Sequence, residues 1–175
     1  VVTEKLDGEC SSLYTHAMHA RSTQSSDHPS RHWLKMFHST FAHQIPENWR
    51  ICGENVYAKH SIAYDSLTSY FYAFSVWDEE NICLSWDETI EWAELLGIET
   101  VPVLYRGVYD EKNIQSLFTG SSAFGGEQEG YVIRLADFFA YDDFTKSVAK
   151  FVRSNHVQTN DHWMHGEVTP NQLRS

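Results

Sequence analysis

Near its start the chain reads EKLDGE, with a lysine ending a short β-prone run and Asp-Gly two residues behind it. That lysine can be a solubilising surface charge or an amine nucleophile. On a strand Lys5 and Asp7 share one face, and Gly8 lets the chain turn or lets a ligand approach closely. Three later stretches set charge inside apolar runs in the same manner. RICGENVYA puts Glu54 after Gly53, EQEGYVIR puts Glu129 before Gly130, and SVAKFVR carries Lys150. Such charges are costly to bury unless they meet a charged ligand or each other. Each alone reads as a strand-edge charge or an ion pair. In the order K-x-D-G, G-E, E-G, K they form a constellation able to grip, or to attack, a charged ligand.

The elements that must position these residues follow from local pattern. VVTEKL reads as a strand ending in the Asp7-Gly8 turn, and SLYTHAMHARS as a second short strand. RHWLKMFHSTFAHQI spaces Trp33, Met36, Phe37 and Phe41 as a helix with a core-facing stripe. WRICGENVYA and SYFYAFSVWD are aromatic and β-branched strands. In SWDETIEWAELLG, Ser85 and Glu88 form a capping-box pattern and Gly97 supplies the stop. VPVLYRG is a strand, EKNIQSLF a short helix, GSSAFGG a flexible connector, and EGYVIRLA and SVAKFVR are strands. From His156 onward the chain is polar and unassigned. Strands and helices mix without βαβ alternation, which predicts an α+β fold with mostly antiparallel sheet.

Composition narrows the function. The 175 residues suit one domain, and 42% hydrophobic with 14% aromatic content describes a globular chain. No apolar run reaches membrane-spanning length and no secretory leader is visible. Cys10, Cys52 and Cys83 are an odd, widely spaced set, which favours reduced thiols and an intracellular, cytoplasmic location. A formal charge of −11 argues against non-specific coating of nucleic acid and leaves room for a locally electropositive cleft. His162 and His165 in HWMH could share a helical face, but the ten histidines fit no zinc spacing. The chain begins without Met inside a strand and reads as an excised domain.

In this order the stretches resemble the covalent nucleotidyltransferase superfamily of ATP-dependent DNA and RNA ligases and mRNA capping enzymes. EKLDGE resembles motif I, CGENVYA motif III, FYAFSVWD motif IIIa, EGYVIR motif IV and SVAKFVR motif V. HARS, GENVYA and EGYVIRLA fit ATP-dependent RNA ligases better than DNA ligases or capping enzymes. The resemblance runs from Val1 to about Val157. It implies a nucleotidyltransferase (adenylation) domain of two packed, mainly antiparallel β-sheets flanked by helices, spanning residues 1–157. A C-terminal tail of residues 158–175 would follow, with a segment before motif I and an accessory RNA-binding domain lying outside this chain.

The implied reaction is attack of the Lys5 amine on the α-phosphate of ATP, giving lysyl-AMP and pyrophosphate. AMP then passes to an RNA 5′-phosphate, and a 3′-hydroxyl expels it to seal the strand. An ammonium must lose its proton to attack, which neighbouring cations and loss of water favour. The resemblance gives Lys150 a role on the α-phosphate, Glu129 on Mg²⁺ or Mn²⁺, and Glu54 on the ribose hydroxyl. It places Glu4 on the nucleotide and Arg21 on phosphate, ribose or the RNA 5′ end. Phe74 stacks on adenine, with Phe71 and Tyr72 as register alternatives. Two positions depart from the family pattern. Cys10 stands where RNA ligases often carry the Asn implicated in sealing. Motif V lacks its second lysine, a charge that Lys146 or Arg153 would have to replace. The resemblance implies that Lys5, Glu54, Phe74, Glu129 and Lys150 converge on one cleft. The alternatives are a DNA ligase or capping-type nucleotidyltransferase of the same superfamily, or a non-catalytic nucleotide- or RNA-binding module on the same fold.

Overall fold

The computed structural model describes residues 1–21, 27–154 and 167–175. In chain order the elements are β1 (Val2–Lys5), β2 (Glu9–Leu13), β3 (Met18–Ala20), α1 (His32–Ser39), β4 (Arg50–Asn55) and β5 (Phe71–Trp77). They continue with β6 (Ile82–Cys83), α2 (Trp86–Leu96), β7 (Glu99–Thr100), β8 (Val103–Tyr105) and α3 (Glu111–Ser116). The last are β9 (Gly130–Arg134), β10 (Phe139–Ala140), α4 (Phe144–Ser147) and β11 (Val148–Val152). The strands pair into a four-stranded sheet, β11-β9-β1-β8, and a larger sheet ordered β10-β6-β5-β4-β2-β3. All pairs are antiparallel except β7, which adds to β5 in parallel. The fold is therefore α+β with two mainly antiparallel sheets, as the mixed element pattern predicts.

Helices α1 and α2 cover one face of the larger sheet. Leu34, Phe41, Ala93 and Leu96 bury against Leu13, Ile51, Phe71, Ala73 and Val76 in one apolar cluster. That leaves the opposite face, with Cys10 and Glu54, to front the smaller sheet. Helix α2 starts and stops as its sequence dictates. Ser85 Oγ accepts from the Glu88 N–H at 3.2 Å, and Gly97 takes the left-handed conformation at φ 74°.

Four local expectations are corrected. SLYTHAMHARS is not one strand: it closes β2, turns over residues 14–17 through a Tyr14 N–H to Ala17 carbonyl bond of 2.8 Å, and returns as β3. In α1 the buried residues are Leu34 and His38, four apart on one face, while Met36 between them on the outer side is 73% exposed, so the inward face is narrower than the stripe implied. Trp33, Phe37 and Phe41 do form a row, Trp33 stacked on Phe37 with centroids 4.8 Å apart and Phe37 edge-to-face with Phe41 at 5.2 Å. GSSAFGG is a packed loop, since Ser122 and Ala123 both donate to Glu4 and Phe124 is buried. Residues 167–175 do not trail away but run alongside the 57–67 segment. There Asn171 accepts from the Tyr64 N–H at 2.9 Å and donates to the Val56 carbonyl at 2.8 Å.

Gly53 is the position where the large sheet tolerates no side chain. A Cβ there would lie 2.5 Å from both the Phe71 ring and the Tyr72 carbonyl. Gly53→Ala is expected to destabilise the fold by about 1–3 kcal/mol. Thermal melts would then show Tm lower by about 3–10 °C, and an unchanged Tm would refute the close packing.

Candidate functional site

Between the sheets lies a cleft of about 670 Å³, within the usual size range for small-molecule sites. The four-stranded sheet supplies one wall through side-chain alternation. Lys5 lies opposite Gly130, and Val132 lies between Thr3 and Lys150, so Lys5, Val132 and Lys150 all face the cleft. The larger sheet supplies the other wall, where Cys10 pairs with Glu54 across β2 and β4. A register shift in β4–β5 sets Cys52 opposite Ser75 but Gly53 opposite Ala73, which leaves Phe74 as a bulged residue. A bulge re-aims its side chain, and Phe74 and its neighbour Ser75 consequently both line the cleft.

Lys5, Glu54, Phe74, Glu129 and Lys150 thus meet in one cavity from five separate stretches, and Glu4 and Arg21 line it too. Of the two register alternatives, Phe71 is fully buried in the core and Tyr72 donates or accepts through its hydroxyl at Thr68 and Ser69. Neither lines the cleft: Phe71 packs against the helices and Tyr72 in a second apolar cluster with Leu6, Val56 and Phe124. Lys146 lines a separate pocket of about 290 Å³ beside Val1 and Val2, and Arg153 pairs with Glu127. Neither replaces the missing second lysine inside the main cleft.

The electrostatics centre on one short contact. Lys5 Nζ donates to Glu129 Oε2 at 2.7 Å, with Glu129 only 2% exposed. Glu54 sits deep in the facing wall, and burial pushes its carboxyl up to about 8. Lys5 pulls that value back, Glu129 and Asp7 push it further, and the Gly8 N–H lowers it. Burial, followed by Glu54, likewise raises the Cys10 thiol to about 12. Burial raises Glu4, which is held by the Ala123 N–H and the Ser122 hydroxyl. The lining carries four Lys and Arg side chains against five carboxylates. The expected electropositive cleft is therefore a mixed one.

Several contributors were not singled out from the sequence. Glu9 at the cleft wall is held by a buried, two-pronged ion pair with Arg31, at 2.8 and 2.7 Å. Its only sequence signal was a charge beside a strand. His60 and Ser61 reach the cleft from the loop after β4. Asp7 anchors that loop, accepting from the Ile62 N–H at 2.7 Å and donating its own N–H to the Tyr64 hydroxyl at 2.8 Å. Arg134 closes the far end. Its guanidinium crosses from β9 to the Leu84 carbonyl of the other sheet at 2.9 Å and lies 5.2 Å from the Phe139 ring centroid.

Among the described residues, no group of three or more His, Cys, Asp or Glu is placed to hold a metal. His162 and His165 lie outside the described residues. All three cysteines are free. Among the described residues no helix is long and apolar enough to cross a membrane.

A scan against protein-family models matches residues 1–152 to the RNA ligase family, and the chain belongs to that family. Membership supports RNA ligase activity in general, with RNA as the class of substrate. A search of curated proteins finds no match.

The Glu54 carboxyl yields a pH test. The folded protein holds that proton to about pH 8, against an ordinary value of 4.5. Between the two values the fold binds more protons than the unfolded chain, so this group's contribution to stability falls as pH rises. Glu54→Gln removes the titration. In buffer without nucleotide, the Tm of Glu54→Gln minus that of the parent should grow by several degrees from pH 5 to pH 8.5. A difference independent of pH would show that Glu54 ionises as it does in water.

Proposed function

We propose that this chain is the adenylation core of an ATP-dependent RNA ligase, built on the nucleotidyltransferase fold. The observation that carries the reading is the meeting of two amines, two carboxylates and a bulge-aimed ring in one cleft. The cleft lining combines polar side chains that suit phosphates, among them Lys5, Lys150, His60 and Ser61, with apolar ones that suit a purine, among them Phe74, Trp77, Phe139 and Val148.

In the reaction, the neutral Lys5 amine attacks the α-phosphorus of ATP. A P–N bond forms, the P–O bond to pyrophosphate breaks, and the amine sheds its proton. Lys150 would stabilise charge developing on the α-phosphate oxygens. Glu54 would accept from a ribose hydroxyl and Phe74 would stack on adenine. AMP then passes to an RNA 5′-phosphate oxygen, and a 3′-hydroxyl displaces AMP to form the phosphodiester. Before attack the Lys5 ammonium, which donates to Glu129, must give up a proton to a base or to water, because an ammonium has no free electron pair. Mg²⁺ or Mn²⁺, which typically takes one or two carboxylates together with substrate phosphates, fits the donor chemistry of Glu129 and would neutralise phosphate charge.

Incubation with ATP and Mg²⁺ followed by intact-mass measurement should show a covalent adduct of AMP mass, stable to alkali and released by acid as a P–N bond is. Lys5→Ala should abolish it. Lys150→Ala should slow its formation by about 10²-fold or more, whereas Lys146→Ala should leave it intact. Absence of an adduct on folded parent protein would favour the non-catalytic binding module. Separately, Phe74→Ala should raise KM for ATP by about tenfold or more, given the usual strength of base–aromatic stacking. An equal fall in kcat with KM unchanged would count against stacking.

A further inference from the structure

We infer that the face of the larger sheet running out of the cleft along β2, β3 and β4 seats an unpaired RNA strand, a reading that rests on the nucleotide-transfer function above. The sheet register sets three rows on this face. The innermost row is Arg21, Cys10 and Glu54, joined by the Arg21 N–H to the Cys10 carbonyl at 2.9 Å. The middle row is His19, Ser12, Cys52 and Ser75, in which Ser12 Oγ and Cys52 Sγ lie 3.4 Å apart. The outer row is Tyr14, Arg50 and Trp77, with the Arg50 guanidinium 4.6 Å from the Trp77 ring centroid. Tyr14 and His19 link the outer and middle rows, their rings 5.2 Å apart.

Helices α1 and α2 occupy the opposite face; on this one Cys52, Ser75 and Trp77 are buried, the first and last packed with Cys83 and Phe139, while Tyr14, His19, Arg21 and Arg50 keep access to water. Cys10, Arg21 and Glu54 line the cleft, and so do Ser75 and Trp77 at the β5 ends of the other two rows, while Tyr14 lies about 13 Å farther along β2 than Cys10. Across the three rows Glu54 is the only carboxylate, and it lies inside the cleft. Arg21 and Arg50 have no carboxylate partner among the described residues, and His19 is exposed. On a chain of net charge −11, a face carrying two unpaired guanidiniums complements a phosphate backbone. The Tyr14 and His19 rings, half-buried and exposed, give bases something to stack on, which single strands can use and a duplex cannot, because paired bases bury their faces. The strand would lead its terminal phosphate past Arg21 to the nucleotide.

The test compares a short 5′-phosphorylated single-stranded oligoribonucleotide with its blunt duplex by fluorescence anisotropy, alongside lysyl-AMP formation. Arg50→Gln and His19→Ala should each form lysyl-AMP within about twofold of the parent. Combined, they should weaken single-strand binding by about tenfold and slow AMP transfer to RNA in proportion. Arg50→Gln alone should reduce the slope of log K against log salt by about 0.7. Unchanged RNA affinity and salt slope would overturn the inference. So would loss of lysyl-AMP formation matching the loss of RNA binding, or tighter binding of the duplex by the parent. If the parent binds the single strand through these residues yet forms no adduct, the transfer reading fails and the surface stands.

Discussion

The site is organised by the Lys5–Glu129 contact. Glu129 is almost wholly removed from water, and a buried carboxylate without a counter-charge costs several kcal/mol. Lys5, 2.7 Å away on the neighbouring strand, supplies that counter-charge. One cation cannot also satisfy Glu54, which faces it from the other sheet and keeps its proton instead. The cleft thus holds more carboxylate than its amines neutralise, with the excess absorbed by protonation and by the Arg31 pair behind Glu9. A triphosphate would add charge of the same sign. That is the physical reason the proposed reaction takes a divalent cation with ATP: the walls alone cannot balance the nucleotide.

Geometry serves the same end. Two antiparallel sheets bring residues from five stretches together only if each side chain leaves its strand on the inner face. On β1, β4 and β11 simple alternation does this, and Glu129 enters from the residue before β9. On β5 alternation would not, because an unbroken strand cannot aim both Phe74 and Ser75 inward. The bulge between Cys52 and Gly53 pairing is the local irregularity that adds an aromatic surface to an otherwise regular wall. Gly53, opposite the bulged segment, has no room for a Cβ. The irregularity therefore depends on a glycine one residue before the glutamate it helps to place.

What was legible in the chain was chemistry carried by residue type and spacing. Lys5, Glu54, Glu129 and Lys150 stood out because charge inside an apolar strand demands an explanation, and α2 because its cap and stop are local signals. The choice of Phe74 over Phe71 and Tyr72 was not settled by pattern. A bulge shifts register by one residue, and that shift depends on strand pairing. The Glu9–Arg31 pair was invisible for the same reason, since its members are 22 residues apart and meet only through tertiary packing. The Tyr14–Ala17 turn carries no Gly, Pro, Asn or Asp to mark it. The packing of residues 167–175 rests largely on backbone hydrogen bonds and one buried amide, Asn171, neither of which leaves a hydrophobic pattern.

Cys10 shows how the site can tolerate a departure from its family's pattern. It lies directly across the strand pair from Glu54, where an ionised side chain would repel a carboxylate already kept from ionising. Burial and that same carboxylate raise the thiol to about 12, so Cys10 stays uncharged wherever the enzyme would operate. Asn, the residue RNA ligases often carry here, is also uncharged. Neutrality is the electrostatic requirement the two residues share. Cys10 supplies it through suppressed ionisation, but a thiol is a weaker hydrogen-bond donor than an amide and has no carbonyl. The proposed adenylylation, which would use Lys5 and Lys150, would need nothing from this position except that it not add negative charge. Sealing is the step on which the loss of an amide would fall. The two halves of the proposed reaction therefore place different demands on the same cleft.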